Sequence, residues 1–281
     1  MNKGYFLERM TWPKALQAFK ETSIAVIPTG STEQHGLHLP VGTDWMVAQE
    51  LAKRVGERSK VIVTPVLPFG YAKYHTVFPG TLSLREETLK SVLIDLCEDL
   101  LKYGITHILF VNGHGGNTNA LRACGEWLRE RCVPAVVASW WTMAHVANPE
   151  WHMIGHADFI ETAAVLALDE TLPDMSVAKN HKNRMLTPEL HLDNLGVVRF
   201  KDATMAINGV MTDVTDTGDM LEYGESPAQN YDIEPSSATK EMGEQILETL
   251  ADYLAEFIDE FQKVKYPEVG SVGPTAGMKK R

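Results

Sequence analysis

HILFVNGHGGN, residues 107–117, is an apolar run that ends on glycines surrounding one histidine. Ile108 to Asn112 reads as a strand, because consecutive apolar side chains, two of them β-branched, suit a strand covered on both faces. Asn117 reads as the start of a helix, which places His114 at the carboxyl end of the strand, where ligands collect in open α/β folds. Gly113, Gly115 and Gly116 allow tight turning and close approach of a ligand to the backbone.

Outward from this stretch, β-branched segments keep alternating with segments of helical period. Strands are predicted at Ser23 to Pro28, Val61 to Val66 and Ala135 to Ser139, and helices at Thr43 to Gly56, Glu86 to Tyr103, Asn117 to Arg131, Ala157 to Leu168 and Ser236 to Val264. That order predicts an α/β fold of three layers, α/β/α, around a mainly parallel sheet. In the second helix Leu89, Val92, Leu93, Leu96, Leu100 and Leu101 form an apolar stripe, Glu87, Lys90, Asp95 and Glu98 face elsewhere, and Gly104 ends it. The last helix is expected to draw its N-cap hydroxyl from Ser236 or Ser237 and to pack through Ile246, Leu250, Leu254 and Phe257 on the sheet or on a partner subunit.

Residues 1–265 are expected to form a single domain. Within it Leu172 to Pro235 is a polar stretch holding Pro173, Pro188, Gly209, Gly218, Gly224 and Pro227; it is too long for an ordinary loop and reads as an excursion over the site. Residues 266–281 have little to bury and read as a loosely held tail.

The 44% hydrophobic content of 281 residues is enough for one large core. With 26 Lys+Arg against 37 Asp+Glu, a net charge of −11 and no basic run, nothing neutralises a phosphate backbone, so no nucleic-acid partner is expected. No apolar stretch approaches the roughly 18 residues that cross a bilayer, and MNKGYFLERMTWPK lacks the apolar segment of a signal peptide. No membrane partner and a cytoplasmic location are expected. Cys97, Cys124 and Cys132 lack C-x-x-C spacing and read as reduced, buried thiols.

IPTGSTEQHGLHLPVGTD, residues 27–44, follows an apolar strand and packs Glu33, His35, His38 and Asp44 into twelve residues. Alternate side chains of an extended backbone share a face, so Glu33 and His35 can point to one place, and Asp44, the first acid of the next helix, can swing in beside them. Imidazole beside carboxylates is a donor set for Zn2+, Mn2+ or Fe2+; a polar loop whose acids cap the next helix would use the same residue types. GHADFIETAAVLAL, residues 155–168, is a helix that is apolar beyond its first turn except for Glu161. That carboxylate is either a ligand, since burying it among Phe159, Ile160 and Ala164 without a cation is costly, or a surface position of a half-buried helix. His156 is either a cap-region residue or a proton carrier. YHTVFPGTLSL, residues 74–84, sets His75 and aromatic residues beside a Pro79-Gly80 turn, and suits a pocket lining or a surface turn equally. A dinucleotide cradle fits poorly: G-x-G-x-x-G needs glycine where Thr118 stands, and the strand about twenty residues on ends in Trp140 and Trp141 instead of an acid.

In this order, these segments resemble the creatininase family. The matching residues are Glu33-Gln34-His35-Gly36 with Asp44 eleven positions after the glutamate, Phe78-Pro79-Gly80-Thr81, Asn112-Gly113-His114, and His156 with Glu161-Thr162 five positions later. The likeness covers Leu7 to Leu168 and resumes at Ser237-Ala238-Thr239 through Gly243. It implies a creatininase-like fold, an amidohydrolase-like enzyme with two divalent ions per subunit (Zn2+ or Mn2+, with Fe2+ as a further option), and a homo-oligomer, by family likeness a hexamer. One ion would be held by Glu33, Asp44 and His114, the second by His35, the shared Asp44 and a further carboxylate. In creatininases that carboxylate stands two residues after the motif histidine, where this chain has Gly116, and Glu161 is expected to replace it. His152 stands where creatininases place an aromatic residue four positions before the helix-start histidine, while Trp141 retains another, which argues against creatinine itself as substrate.

Two divalent cations against Glu33, Asp44 and Glu161 leave one net positive charge, enough to stabilise a bridging hydroxide and then an oxyanion on a small-molecule substrate. His156 is expected to shuttle a proton to the leaving group, with Glu161 as the other catalytic residue. His75, Trp141, Gly115 and Gly116 are expected to contact substrate, and His181, His191, Arg199 and Lys201 of the excursion to help choose it. The expected reaction opens or cleaves a small, polar, cyclic substrate at a cyclic amide or formamide C–N bond. A C–C or lactone hydrolase acting on a cyclic ketone such as 3-dehydro-scyllo-inosose is the alternative, and a noncatalytic metal- or nucleotide-binding α/β protein is the alternative of another class.

Overall fold

A computed structural model describes residues 4–151, 155–221 and 233–267. His152, Gly224, Pro227 and residues 268–281 of the expected tail lie outside the described residues. The central sheet is built from β1 (Tyr5–Phe6), β2 (Ile24–Thr29), β3 (Ile62–Val63), β4 (His107–Asn112) and β5 (Ala135–Ser139), in the order β1-β3-β2-β4-β5, with every pairing parallel. Helices α1 (Trp12–Phe19), α2 (Thr43–Arg58), α3 (Glu86–Lys102), α4 (Thr118–Glu130) and α5 (Trp140–Ala147) connect or follow these strands. Beyond them come β6 (Gly155–His156), α6 (Phe159–Leu168), β7 (Met185–Thr187), β8 (Leu190–Asn194), β9 (Val197–Phe200), β10 (Ala203–Ala206), α7 (Met211–Val214), β11 (Met220–Leu221) and α8 (Lys240–Phe261).

Side chains of β2 and β4 alternate between two cores, as the pleat requires. Ile24, Val26, Leu109 and Val111 join α2, α5, α6 and α8 on one face; Ala25, Ile27, Ile108 and Phe110 join α1, α3 and α4 on the other. Burial on both faces is why these strands read as unbroken apolar runs, and it gives the three-layer α/β/α architecture that the sequence predicts.

Several expectations need correction. Leu96 is 41% exposed on the rim of an apolar groove shared with Trp12 and Leu16, and Cys97 takes the inward position of the α3 stripe. The cap of α8 is Thr239, whose hydroxyl accepts the Met242 N–H at 3.1 Å, while Ser236 and Ser237 lie in a preceding 3-10 turn. That helix packs mainly on α6, α2 and α5 and shares their core with β2 and β4, its Phe261 ring meeting that of His107 edge-on at 5.2 Å. Cys97 and Cys124 are free and buried with their sulfurs 3.9 Å apart, but Cys132 is only partly buried. Helix α5 went unread because it follows β5 with no turn residue between Ser139 and Trp140. The excursion is not irregular: β7 to β10 form an antiparallel sheet in the order β10-β9-β8-β7, and β11 pairs with β6. Strands β7 and β10 are exposed throughout, so no apolar alternation marks them.

Helix α8 braces α2 and α6, the helices that carry Asp44 and Glu161. The approach to α6 is so close at Gly243 that a Cβ there would stand 1.9 Å from the Ala163 carbonyl oxygen. Gly125 in α4 has open space around the same position. Gly243→Ala should therefore destabilise the protein by about 1–3 kcal/mol through overpacking, while Gly125→Ala should stabilise it by roughly 0.5–1 kcal/mol. Urea unfolding of the two variants beside the parent measures both, and equal effects would contradict this packing.

Candidate functional site

Four chain segments meet at the carboxyl ends of β2 and β4. Glu33 and His35 lie on the loop after β2, which the Glu33 N–H ties shut by donating to the Val41 carbonyl at 2.9 Å. Asp44 occupies the first turn of α2, His114 stands two residues beyond β4, and Glu161 lies in the first turn of α6, whose N-cap Asp158 accepts from the Ile160 and Glu161 amides. All five side chains are buried, Glu33 to 1%, Asp44 to 3% and Glu161 to 7% exposure.

Potential ligand atoms within 4.8 Å of one another form three groups: Glu33 with Asp44 and His114; His35 with Asp44 and Glu161; and Glu33 with His35 and His156. The first two are the sets that the resemblance implied, and they share Asp44. Its Oδ1 lies 2.9 Å from His35 Nε2 and its Oδ2 3.1 Å from His114 Nδ1. Each imidazole is oriented from behind by a backbone carbonyl, His35 Nδ1 donating to Glu33 O at 3.0 Å and His114 Nε2 to Tyr71 O at 2.9 Å. Such outer contacts aim the opposite nitrogen and raise its basicity. Glu33 Oε2 and Asp44 Oδ2 are buried and make no well-aligned hydrogen bond; among the described residues only His114 nitrogens approach them, at 3.3 and 3.1 Å. Orphaned carboxylate oxygens among imidazole nitrogens are a donor set that fits divalent cations.

The electrostatics of the side chains alone carry the same imprint. Burial opposes charge on His35, but the Asp44 carboxylate outweighs it and lifts the imidazole to about 10. His114 behaves alike: burial is overridden by Glu33 and Asp44, and its pKa stands well above the ordinary value. Burial would raise Asp44, yet His35 and His114 hold it below the usual carboxylate range. Burial pushes Glu161 up to about 8 against the pull of His35. Protons thus collect where the carboxylates crowd. His156 and His75 go the other way: burial, with neighbouring imidazoles, holds His156 well below its ordinary value and His75 down at about 3.

The cluster floors a cavity of about 470 Å3 whose walls include Tyr71, Tyr74, His75, Trp141 and His156 and, among the described residues, no lysine or arginine. Gly115 and Gly116 line it from a 3-10 turn, Gly115–Asn117, in which neither takes a positive φ. A Cβ on Gly116 would stand 2.2 Å from Tyr71 O and 2.5 Å from His114 Nε2, so this backbone has no room for the acid that creatininases carry there. Glu161 reaches the cluster from α6 instead. His156 sits on β6, not on the helix, with its ring against those of His35 and His75. His38 is buried apart from the three groups, bonded to Thr162 Oγ1 at 2.9 Å. The excursion does reach the cavity, through Asn194, Leu195, Gly196 and Met220; His181, His191, Arg199 and Lys201 do not line it. His181 is bound to Asp219, and Arg199 is bridged to Asp193. The Asn194-Leu195-Gly196 turn between two strands carried a readable hairpin signal. Gln34, another unpredicted member, lies inside the motif between two acid–base residues.

The family model described as Creatininase, creatinine amidohydrolase, matches residues 8–258. The chain belongs to the creatininase family. Among its relatives, a mycofactocin precursor peptide peptidase of Mycolicibacterium smegmatis is 32% identical over 194 residues, covering 64% of this chain and 74% of that protein. A creatinine amidohydrolase of Pseudomonas putida is 28% identical over 210 residues, 67% and 81% of the two chains. A 3-dehydro-scyllo-inosose hydrolase of Thermotoga maritima is 26% identical over 203 residues, 69% of this chain and 65% of that one. In three dimensions a mutant creatininase of Zn-Zn type superposes with a TM-score of 0.69 at 24% identity, covering 91% of this chain and 98% of that one. A Mn creatininase gives 0.67 at 24% identity over 92% and 99%. These structures share the fold, and the chain is a hydrolase of this family.

Folded His35 and Glu161 retain protons that the unfolded chain, with ordinary values of 6.5 and 4.5, has released. Stability of chelated protein should therefore fall as pH rises from about 6.5 to about 10. The depressed His75 and His156 act in the opposite sense, but only below about 6.5. Thermal midpoints in EDTA should drop between pH 6.5 and 9, and added Zn2+ or Mn2+, which replaces those protons, should remove the drop. A flat profile in EDTA would refute this electrostatic picture.

Proposed function

We propose that this protein is a metal-dependent hydrolase that opens or cleaves a small, polar, unphosphorylated substrate, preferably at a cyclic amide or formamide C–N bond. The observation that carries the reading is the pair of buried, orphaned oxygens, Glu33 Oε2 and Asp44 Oδ2, at the junction of two ligand groups that share Asp44. Glu33, Asp44 and His114 would hold one divalent ion, and His35, Asp44 and Glu161 a second, Zn2+ or Mn2+ being the candidates suggested by the Zn-Zn and Mn forms of the creatininase structures. Bound there, the ions would supply Lewis-acid polarisation of a carbonyl and acidify water at neutral pH.

The remaining work falls to the chain's own side chains. His156, neutral by burial, keeps Nδ1 on the side of Glu33, 3.9 Å from Oε1, where it can take a proton from attacking water and return it to the leaving atom. Trp141, Tyr71 and Tyr74 offer flat apolar walls to a compact ring, while the Asn194 to Gly196 turn covers the cavity against bulk water. A phosphorylated substrate would meet carboxylates and, among the described residues, no lysine or arginine, which supports an uncharged one.

The cyclic-ketone reading draws on the inosose hydrolase relative, and the same cavity would admit such a ring. Metal content per chain, by elemental analysis, tests the shared centre: about two ions in the parent, nearly none in Asp44→Ala and about one in Glu161→Ala. Turnover of the loaded protein on a panel of cyclic amides, formamides and cyclic ketones, with a peptide carrying the sequence of a natural precursor as comparator, then separates the bond classes. A metal-free parent after growth with added Zn2+ and Mn2+ would sink the proposal.

A further inference from the structure

Gln34 lies between Glu33 and His35, is buried, and belongs to none of the three ligand groups. Two backbone groups fix which end of its amide is which. Gly36 N–H donates to Oε1 at 3.0 Å, and Nε2 donates to the Gly218 carbonyl at 2.9 Å. Neither contact survives reversal, because an N–H cannot accept and a carbonyl cannot donate. The second hydrogen on Nε2 therefore meets His75 Nδ1, 2.9 Å away, which has to accept it. A neutral His75 accepting there carries its proton on Nε2, the nitrogen that lies 3.7 Å from Glu33 Oε1. His156 Nε2 is 2.7 Å from the main-chain oxygen of the same Gln34 and has to donate to it. Its distance of 3.1 Å to Gln34 Nε2 adds no bond, since both amide hydrogens are already committed. The lone pair of His156 is then on Nδ1, 3.9 Å from Glu33 Oε1.

We propose that Gln34 is a positioning residue that sets one tautomer, Nε2–H with a bare Nδ1, on both cavity histidines, so that opposite groups face Glu33: the protonated Nε2 of His75 and the unprotonated Nδ1 of His156. The inference rests on the hydrolase reading for its purpose. Hydrolysis of a carbonyl bond needs a donor for the substrate oxygen and an acceptor that removes one proton from water and hands it to the departing atom. His75 Nε2–H supplies the first and His156 Nδ1 the second, with no net gain or loss of protons over the cycle. The excursion takes part through backbone alone: Gly218 has φ +90°, and a Cβ there would stand 1.9 Å from Gln34 Oε1.

Long-range nitrogen–proton NMR correlations on protein labelled with 15N-histidine read the tautomers directly, in metal-free and Zn2+-loaded samples. Signals are assigned by their loss in His75→Gln and His156→Gln. The expected parent spectrum has both rings protonated on Nε2 and bare on Nδ1. Gln34→Glu puts an acceptor where the amide donated, and should move the His75 proton from Nε2 to Nδ1 while His156, held by the main chain, keeps its own. A general structural disturbance would not move one ring and spare the other. A parent His75 bare at Nε2, or a folded Gln34→Glu whose His75 proton stays put, would overturn the assignment; if the variant fails to fold, the parent spectrum decides. No turnover is required, so lack of hydrolysis and a wrong tautomer are separate results.

Discussion

Asp44 is the side chain on which the site turns. Both of its oxygens face imidazole nitrogens, and it stands in two of the three groups that bring Glu33, Glu161, His35 and His114 together. Carboxylates buried this near one another without compensation cost several kcal/mol per ion. The metal-free chain answers by drawing protons onto His35, His114 and Glu161, and divalent cations in the proposed centre would answer more completely. Everything around the cluster holds that unfavourable gathering of charge in place.

The rest of the fold can be read as support for it. Parallel strands β2 and β4 end side by side, which delivers the loop after one and the glycine turn after the other to a single point. Gly113 leaves room for the main chain of Asp44, 2.2 Å from where a Cβ would sit, so α2 can abut the end of β4. Helix α8 then presses α2 and α6 together, fixing Asp44 against Glu161. On the open side, the β8–β9 turn and the β6–β11 pair bring a different part of the chain over the cavity, where substrate choice would be exercised. A scaffold with buried layers thus carries the charged cluster, while a polar arm covers it.

How much of this could be read beforehand depended on how local each signal was. Strands β2 to β5 and the five long helices announced themselves because runs of β-branched apolar residues and one-sided helical stripes leave a period in the sequence. Glu33, His35, Asp44 and His114 were legible for a similar reason: they follow directly on strands or open a helix. Glu161 was ambiguous, since an isolated acid in an apolar helix is equally a surface position, and only the packing of α6 against α2 and α8 buries it. Leu96 was misplaced because a stripe of leucines spans more of the helix than the sheet covers. The β7 to β10 sheet left little trace, being exposed on its outer strands, although its Asn194-Leu195-Gly196 turn was a fair clue.

By itself, the sequence determined the layered α/β class and the order of the sheet-forming segments, along with the family and the residues competent to hold a cation, because each of these depends on residue type at short spacing. Tertiary structure decided which of those residues meet. It denied a side chain at Gly116 and admitted Glu161 from a helix more than forty residues away, brought the excursion's Gly218 carbonyl to Gln34, and left His38, His181 and Arg199 with other partners. Those outcomes turn on contacts between segments remote in the chain, whose distances and orientations no local pattern of residues encodes.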